Sequence, residues 1–329
     1  MRADNRLDRG DLLLTTRQRV LIALTFMAAI AFATGNGDVT VEAQPPTASP
    51  EVHHIHGLTV DRRDPDVLYV ATHTGLLRVR ATGAPEWVGS HRFDLMGFTA
   101  HPRETDLVYA SGHPDLATYR RQGVGNLGLL VSRDGGRTWQ TVALKGEADF
   151  HALAYGPGNG GTLYGWSVAE RGGLYRISVA SWTGERLPAS GLANVLSLAA
   201  SPDAGGPLLA GTKAGLMVSR DGGATWSPAP TMPSDVPVTA VSYHASDGRR
   251  AYAYVARPDR GLMRSRDGGA TWESTSFAGD ARAPVVAIAV GPDDSVVLAT
   301  TDATVLRSRD AGRTWQSVLE RGRPPIGAR

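Results

Sequence analysis

The chain has 329 residues, 42% of them hydrophobic and 20% charged, with 39 Gly and 20 Pro, a composition that excludes intrinsic disorder and a collagen-like fibre. It contains no Cys, which excludes a disulfide framework, thiolate metal sites, iron–sulfur clusters and a cysteine nucleophile. Its net charge of +2 sits in the first 33 residues, where Arg2, Arg6, Arg9, Arg17 and Arg19 stand against Asp4, Asp8 and Asp11; beyond them basic and acidic residues balance at 29 each, so no nucleic-acid partner is expected.

The first predicted element is a leader. The apolar run VLIALTFMAAIAFA at 20–33 is 14 residues long, shorter than the roughly 20 a membrane-spanning helix needs, and it ends in the small-x-small triplet Ala31, Phe32, Ala33. Residues 1–33 therefore read as a secretory signal peptide. The protein is expected to be exported, to the periplasm, the cell envelope or the medium, with membrane attachment only through this leader if it is kept. Residues 34–50, with QPPTASP, read as a flexible spacer.

From residue 51 onward the sequence repeats. SRDGGRTW (132–139), SRDGGATW (219–226), SRDGGATW (265–272) and SRDAGRTW (308–315) share the pattern Ser-x-Asp-x-Gly-x-Thr-Trp, and their starts are 87, 46 and 43 residues apart. The double gap predicts a degenerate copy near residue 178, where GLYRISVASW stands, and GLLRVRATGAPEW at 75–87 is another degenerate copy. Six units fill 51–320, followed by a tail at 321–329. Each unit holds four short β-like runs, as in HGLTV, VLYVAT, GLLRVR and the stretch at Trp87. Four strands per unit of about 45 residues predict an all-β fold, a six-bladed β-propeller of four-stranded antiparallel blades. A seventh blade would need a further unit, and 34–50 is too short for one.

The octets belong between the third and fourth strands. There Gly supplies the positive φ of a tight turn, Asp134, Asp221, Asp267 and Asp310 accept hydrogen bonds from turn amides, and Trp enters the apolar layer. The octets resemble the Asp-box, or BNR, motif of sialidases, sortilin-type receptors, xyloglucan-processing glycosidases and photosystem II assembly factors. Across 51–320, HHIHGL, THTGLLRV, LMGFTAHP, YASGHP and FHALAYGP are similar to a group of exported bacterial Asp-box proteins labelled glycosyl hydrolases or sialidase-like. This resemblance implies action on, or binding of, extracytoplasmic glycans. Sialidase chemistry itself implies an arginine clamp with an Arg-Ile-Pro motif in the first blade; no Arg-Ile-Pro occurs here, and Arg62, Arg63, Arg78 and Arg80 fall in a turn and on a third strand.

Strand direction sorts residues between the two faces of the ring. The start of each first strand and the end of each second strand share one face, the top, which receives His53, His54, His56, His73, His91, His113 and His151. His101 and His244 fall on the bottom. His56 and His151 hold equivalent positions in blades 1 and 3, as do His73 and His113 in blades 1 and 2. Imidazoles hold zinc, copper, nickel or iron without thiolates, so His54, His56, His73, His113 and His151 are candidate ligands of a divalent transition metal. Solvent-bonded channel histidines are the other reading of the same cluster. Asp94, Asp149 and Glu170 are candidate catalytic carboxylates on the same face. Two insertions, at 113–128 and 167–173, bring Tyr119, Arg121, Trp166 and Arg171 there as candidate ligand-binding residues. A glycoside hydrolase and a non-catalytic binding or assembly propeller, monomeric and directed at a glycan or an envelope protein, are the two functions in view.

Overall fold

A computed structural model describes residues 50, 52–80 and 84–325. The leader at 1–33, the spacer up to residue 49 and the last four residues of the tail lie outside the described residues. Among the described residues no helix is long and apolar enough to cross a membrane.

The repeat units become six four-stranded sheets. Blade 1 holds β1 (Ile55–Val60), β2 (Val67–Thr72), β3 (Gly75–Arg80) and β4 (Glu86–Trp87); blade 2 holds β5 (Asp94–Ala100), β6 (Val108–His113), β7 (Leu129–Ser132) and β8 (Gln140–Ala143). A short helix, α1 (Leu116–Gln122), lies between β6 and β7. Blade 3 is β9 (Phe150–Gly156), β10 (Thr162–Ser167), β11 (Gly173–Ser178) and β12 (Gly184–Arg186). Blade 4 is β13 (Val195–Ala200), β14 (Leu208–Thr212), β15 (Gly215–Ser219) and β16 (Ser227–Pro228). Blade 5 is β17 (Val238–His244), β18 (Asp247–Val255), β19 (Gly261–Ser265) and β20 (Glu273–Ser274), and blade 6 is β21 (Val285–Val290), β22 (Val296–Thr300), β23 (Val305–Ser308) and β24 (Gln316–Leu319). Strands pair in sequence order within every blade, all antiparallel. The six-bladed, nearly all-β architecture read from the repeats is the one observed.

Each octet folds as its composition predicts. In the turn after β15, Ser219 Oγ donates to Asp221 Oδ1 (2.8 Å) and accepts from Gly223 N (2.8 Å), while Thr225 gives its amide to Asp221 Oδ1 (2.9 Å) and its hydroxyl to Oδ2 (2.6 Å). The same bonds recur around Asp134, Asp267 and Asp310. The turn also needs a left-handed residue, which is Gly in three octets and Ala311, at φ 58°, in the fourth.

Buried side chains form six clusters, one between each pair of neighbouring blades, and one Trp from each unit joins a cluster: Trp87, Trp139, Trp182, Trp226, Trp272 and Trp315. The two degenerate units lost the octet and kept its Trp, because the ring needs an anchor at every interface. At the seam between blades 6 and 1, Arg307, only 4% exposed, reaches Asp66 Oδ1 (3.4 Å), Asp293 Oδ2 (3.4 Å), Ser295 Oγ (3.2 Å) and the Pro65 carbonyl.

The first strands line a central channel. Leu58, Phe98, Leu153, Leu198, Val241 and Ile288, one from each blade, border both a cavity of about 80 Å³ on the top side and one of about 150 Å³ on the bottom side. This apolar ring divides the channel, and the top chamber is a shallow cup.

Candidate functional site

The repeat register decides what stands around the cup. Leu58, Phe98 and Leu153 are equivalent ring residues, so the positions two before each are His56, Met96 and His151, and those four before are His54, Asp94 and Asp149. In each of these strands the pairing register shifts between the ring residue and the upstream positions, between Ile55 and Gly57, between Leu95 and Phe98 and at His151, and His54 and Asp149 stand just before β1 and β9. The ends of the second strands add His73 and His113; β5 and β6 pair Asp94 directly with His113.

Asp94 is the hub. Its Oδ1 lies 3.0 Å from His73 Nδ1 and 3.8 Å from His56 Nε2, and its Oδ2 lies 3.3 Å from His113 Nδ1. The other nitrogen of His113 is 3.4 Å from Asp149 Oδ2, and His151 Nε2 is 3.3 Å from Asp149 Oδ1. Four of the five candidate histidines and two of the three candidate carboxylates are thus brought into one chain of contacts. His54 stands beside it, exposed, with its ring edge-on to His73 at 5.1 Å. Glu170 is an exposed turn residue outside the chain of contacts. Tyr119 and Arg121 are exposed on α1, where Arg121 donates to Thr118 Oγ1 (2.9 Å). Arg171 is an exposed loop residue, and Trp166 is half-buried on β10 against the cluster between blades 3 and 4.

Burial, followed by the charge of neighbouring His73, draws the His56 pKa down to about 4 against the opposing pull of Asp94. At neutral pH His56 is an uncharged imidazole, so its 3.8 Å approach to Asp94 is no ion pair. Burial works to raise the Asp149 carboxyl, but contacts from His151 and His113 outweigh it and hold the group below the usual carboxylate range. Asp149 is therefore ionised at neutral pH and unsuited to act as a general acid.

The contacts are close without being well aligned. Among the described residues seven buried side-chain polar atoms lack a hydrogen bond, and four are here: His56 Nε2, Asp94 Oδ1, Asp149 Oδ1 and His151 Nε2. Buried polar groups are normally paired. His56, His73 and Asp94 each offer one ligand atom, all within 4.8 Å of one another. Two tetrahedral zinc ligands stand about 3.4 Å apart, given bonds of about 2.0–2.2 Å, and the observed 3.0 and 3.8 Å bracket that spacing. Two imidazoles and one carboxylate form a donor set suited to zinc or non-haem iron, with positions left open for a ligand.

From the sequence the histidines pair by register and Asp94 and Asp149 stand as candidate catalytic carboxylates on the same face, without a pairing between individual carboxylates and histidines. The signal for their role was present: His54-Ile-His56, Asp94-Leu-Met96 and Asp149-Phe-His151 are aligned triplets. At the opposite channel mouth stands Arg62, which the sequence places in a turn and whose Nε is buried without a partner.

Residues 174–324, a little under half of the chain, match the family described as photosynthesis system II assembly factor YCF48. Together with the six sequential blades, this decides the class. The chain is a BNR-type β-propeller. No curated protein sequence matches it. Among solved structures, this BNR propeller is similar to a chain of a nidogen/laminin complex, at 12% identity and a TM-score of 0.57 over 78% of this chain and 95% of that one, a likeness of fold alone. It is also similar to YCF48 bound to D1 peptide (19% identity, TM-score 0.49, 82% of each chain) and to the GH74 enzyme of Niastella koreensis (17%, 0.38). The latter match covers 84% of this chain and 38% of that one, so the chain spans about two fifths of the GH74 enzyme's length.

Proposed function

We propose that this BNR propeller is an exported protein that holds a divalent transition metal at the top mouth of its channel, on His56, His73 and Asp94, and uses it to bind a ligand arriving at that face. The observation that carries the reading is the convergence of His56 Nε2, His73 Nδ1 and Asp94 Oδ1, with the first and last of these buried and unpaired. The uncharged state of His56 suits it, because imidazole ligates only when neutral. Leu116 and Tyr119 on α1, Val168 just after β10 and Leu196 near the start of β13 are the exposed large apolar side chains among the described residues, which suits docking of a glycan or an envelope protein.

A glycoside hydrolase working through Asp94 and Asp149 alone is the competing reading. Against it stand the His113 ring between the two carboxylates, the ionised state of Asp149, and the size of the cup, about 80 Å³ where ligand pockets usually measure about 300–1,000 Å³. Elemental analysis of protein purified without chelators, with thermal unfolding in added zinc, separates the two. The metal reading expects bound metal and, at about 100 times the dissociation constant, a stabilisation of about 2.7 kcal/mol, or about 5–10 °C in Tm, lost in His73→Ala. Metal-free protein with no shift, or glycoside turnover unaffected by chelator, supports the competing reading.

A further inference from the structure

A tyrosine recurs at one position of the second strands. Tyr69, Tyr164 and Tyr252 each stand across from an arginine of the third strand, Arg78, Arg176 and Arg264, and each arginine pairs with a glutamate of the fourth, Glu86, Glu185 and Glu273. Tyr109 holds the same position in blade 2, where Val131 stands in place of the arginine and Gln140 in place of the glutamate. Its hydroxyl has no hydrogen bond, although the residue is fully buried. Buried polar groups are normally paired, so this one points to a partner from outside the chain.

Tyr109 borders a groove of about 560 Å³ between blades 2 and 3 on the bottom face, within the usual range of about 300–1,000 Å³ for ligand pockets. The groove opens at the degenerate octet of blade 3, whose turn at 179–183 is two residues shorter than the octet turn at 133–139. Trp182 of that turn lines it, half-buried, with the Arg133 guanidinium 5.8 Å over its ring. Arg103 lines it as well, while Asp106 is held by Arg63 (2.8 Å) and Glu104 reaches His101 Nε2 (3.9 Å). Among the described residues neither Arg103 nor Arg133 has an ion-pair partner. Burial raises the Tyr109 pKa, so the hydroxyl stays protonated and donates. An aromatic ring, two unpaired guanidinium groups and one oriented hydroxyl match a sugar ring that carries a carboxylate. A neutral sugar would leave both charges idle, and a small anion would leave the Trp unused.

We propose that this groove binds an acidic glycan, with a uronic-acid ring on Trp182, its carboxylate held by Arg103 and Arg133, and one of its oxygens accepting from Tyr109. The site lies on the face opposite the His56 and Asp94 cluster and does not rest on the metal-binding reading.

The test is calorimetric titration of the full chain with oligogalacturonate and oligoguluronate, in low salt and with chelator present so that no metal at the top face contributes. At least one of the two should bind, and a neutral xyloglucan oligosaccharide should bind about tenfold more weakly or worse. Arg103→Ala combined with Arg133→Ala should lose about tenfold or more in affinity and keep the parent Tm, since both side chains are exposed. Tyr109→Phe separates a binding role from a structural one: it removes a hydroxyl bonded to nothing within the chain, so Tm should hold or rise while affinity falls about threefold or more. No binding of either acidic oligosaccharide, equal binding of the neutral one, or unchanged affinity in either variant overturns the proposal.

Discussion

Every blade closes on its own four strands, so the seam between blades 6 and 1 depends on side chains, and Arg307 is its most deeply buried charge. Arg307→Met keeps the aliphatic stem and removes the guanidinium, leaving Asp66, Asp293, Ser295 and the Pro65 carbonyl short of a donor. Breaking a fully buried ion pair costs about 3–5 kcal/mol. Here Asp66 is 58% and Asp293 25% exposed, so both regain water, and Arg309 still reaches each of them. The expected loss is therefore about 2 kcal/mol, or about 4–8 °C in Tm. Urea unfolding followed by Trp fluorescence reads it, because all seven Trp sit in or against the clusters between blades. The midpoint should fall with the slope unchanged. An unchanged or raised midpoint would refute the seam argument.

Two further outcomes follow from the octet turns. Hydrogen bonds from the Thr side chain and amide four residues on hold Asp221 and Asp267 at about 2; at Asp134 burial opposes the shift and is outweighed, giving about 2 as well, and Asp310 lies lower still. Their folded values lie below the unfolded 3.8, so the stabilisation is complete above about pH 4 and is lost as pH falls toward about 2; Tm measured over that interval should drop steeply, and a flat profile contradicts the assignment. Ala311→Gly removes a left-handed conformation that costs an L-residue about 1–2 kcal/mol, against about 0.5–1 kcal/mol of added unfolded-chain entropy. A small gain in Tm is expected by calorimetry, and a marked loss would mean that the Ala311 methyl contributes packing.

The fold was legible because the octet is a local device. Ser, Asp, Gly, Thr and Trp each act within eight residues, and the spacing between copies counts the blades even where the octet has decayed around Trp87 and Trp182. The site was legible in part. His56 with His151 and His73 with His113 follow from register, but their convergence on Asp94 and Asp149 depends on neighbouring blades. Contacts such as His73 to Asp94 or His113 to Asp149 cross a blade boundary, where strand alternation within one unit gives no distance. Trp166 stands beside the 167–173 insertion, and β10 carries it half-buried against the cluster between blades 3 and 4. Glu170 stood out as a carboxylate on a top-face loop, yet no contact ties it to the histidines.

The central claim is a metal on His56, His73 and Asp94. Crystals grown with zinc and measured on both sides of the zinc absorption edge test it most directly. The account predicts an anomalous peak within bonding distance of His56 Nε2, His73 Nδ1 and Asp94 Oδ1. Well-ordered crystals with no peak at these three atoms would contradict it.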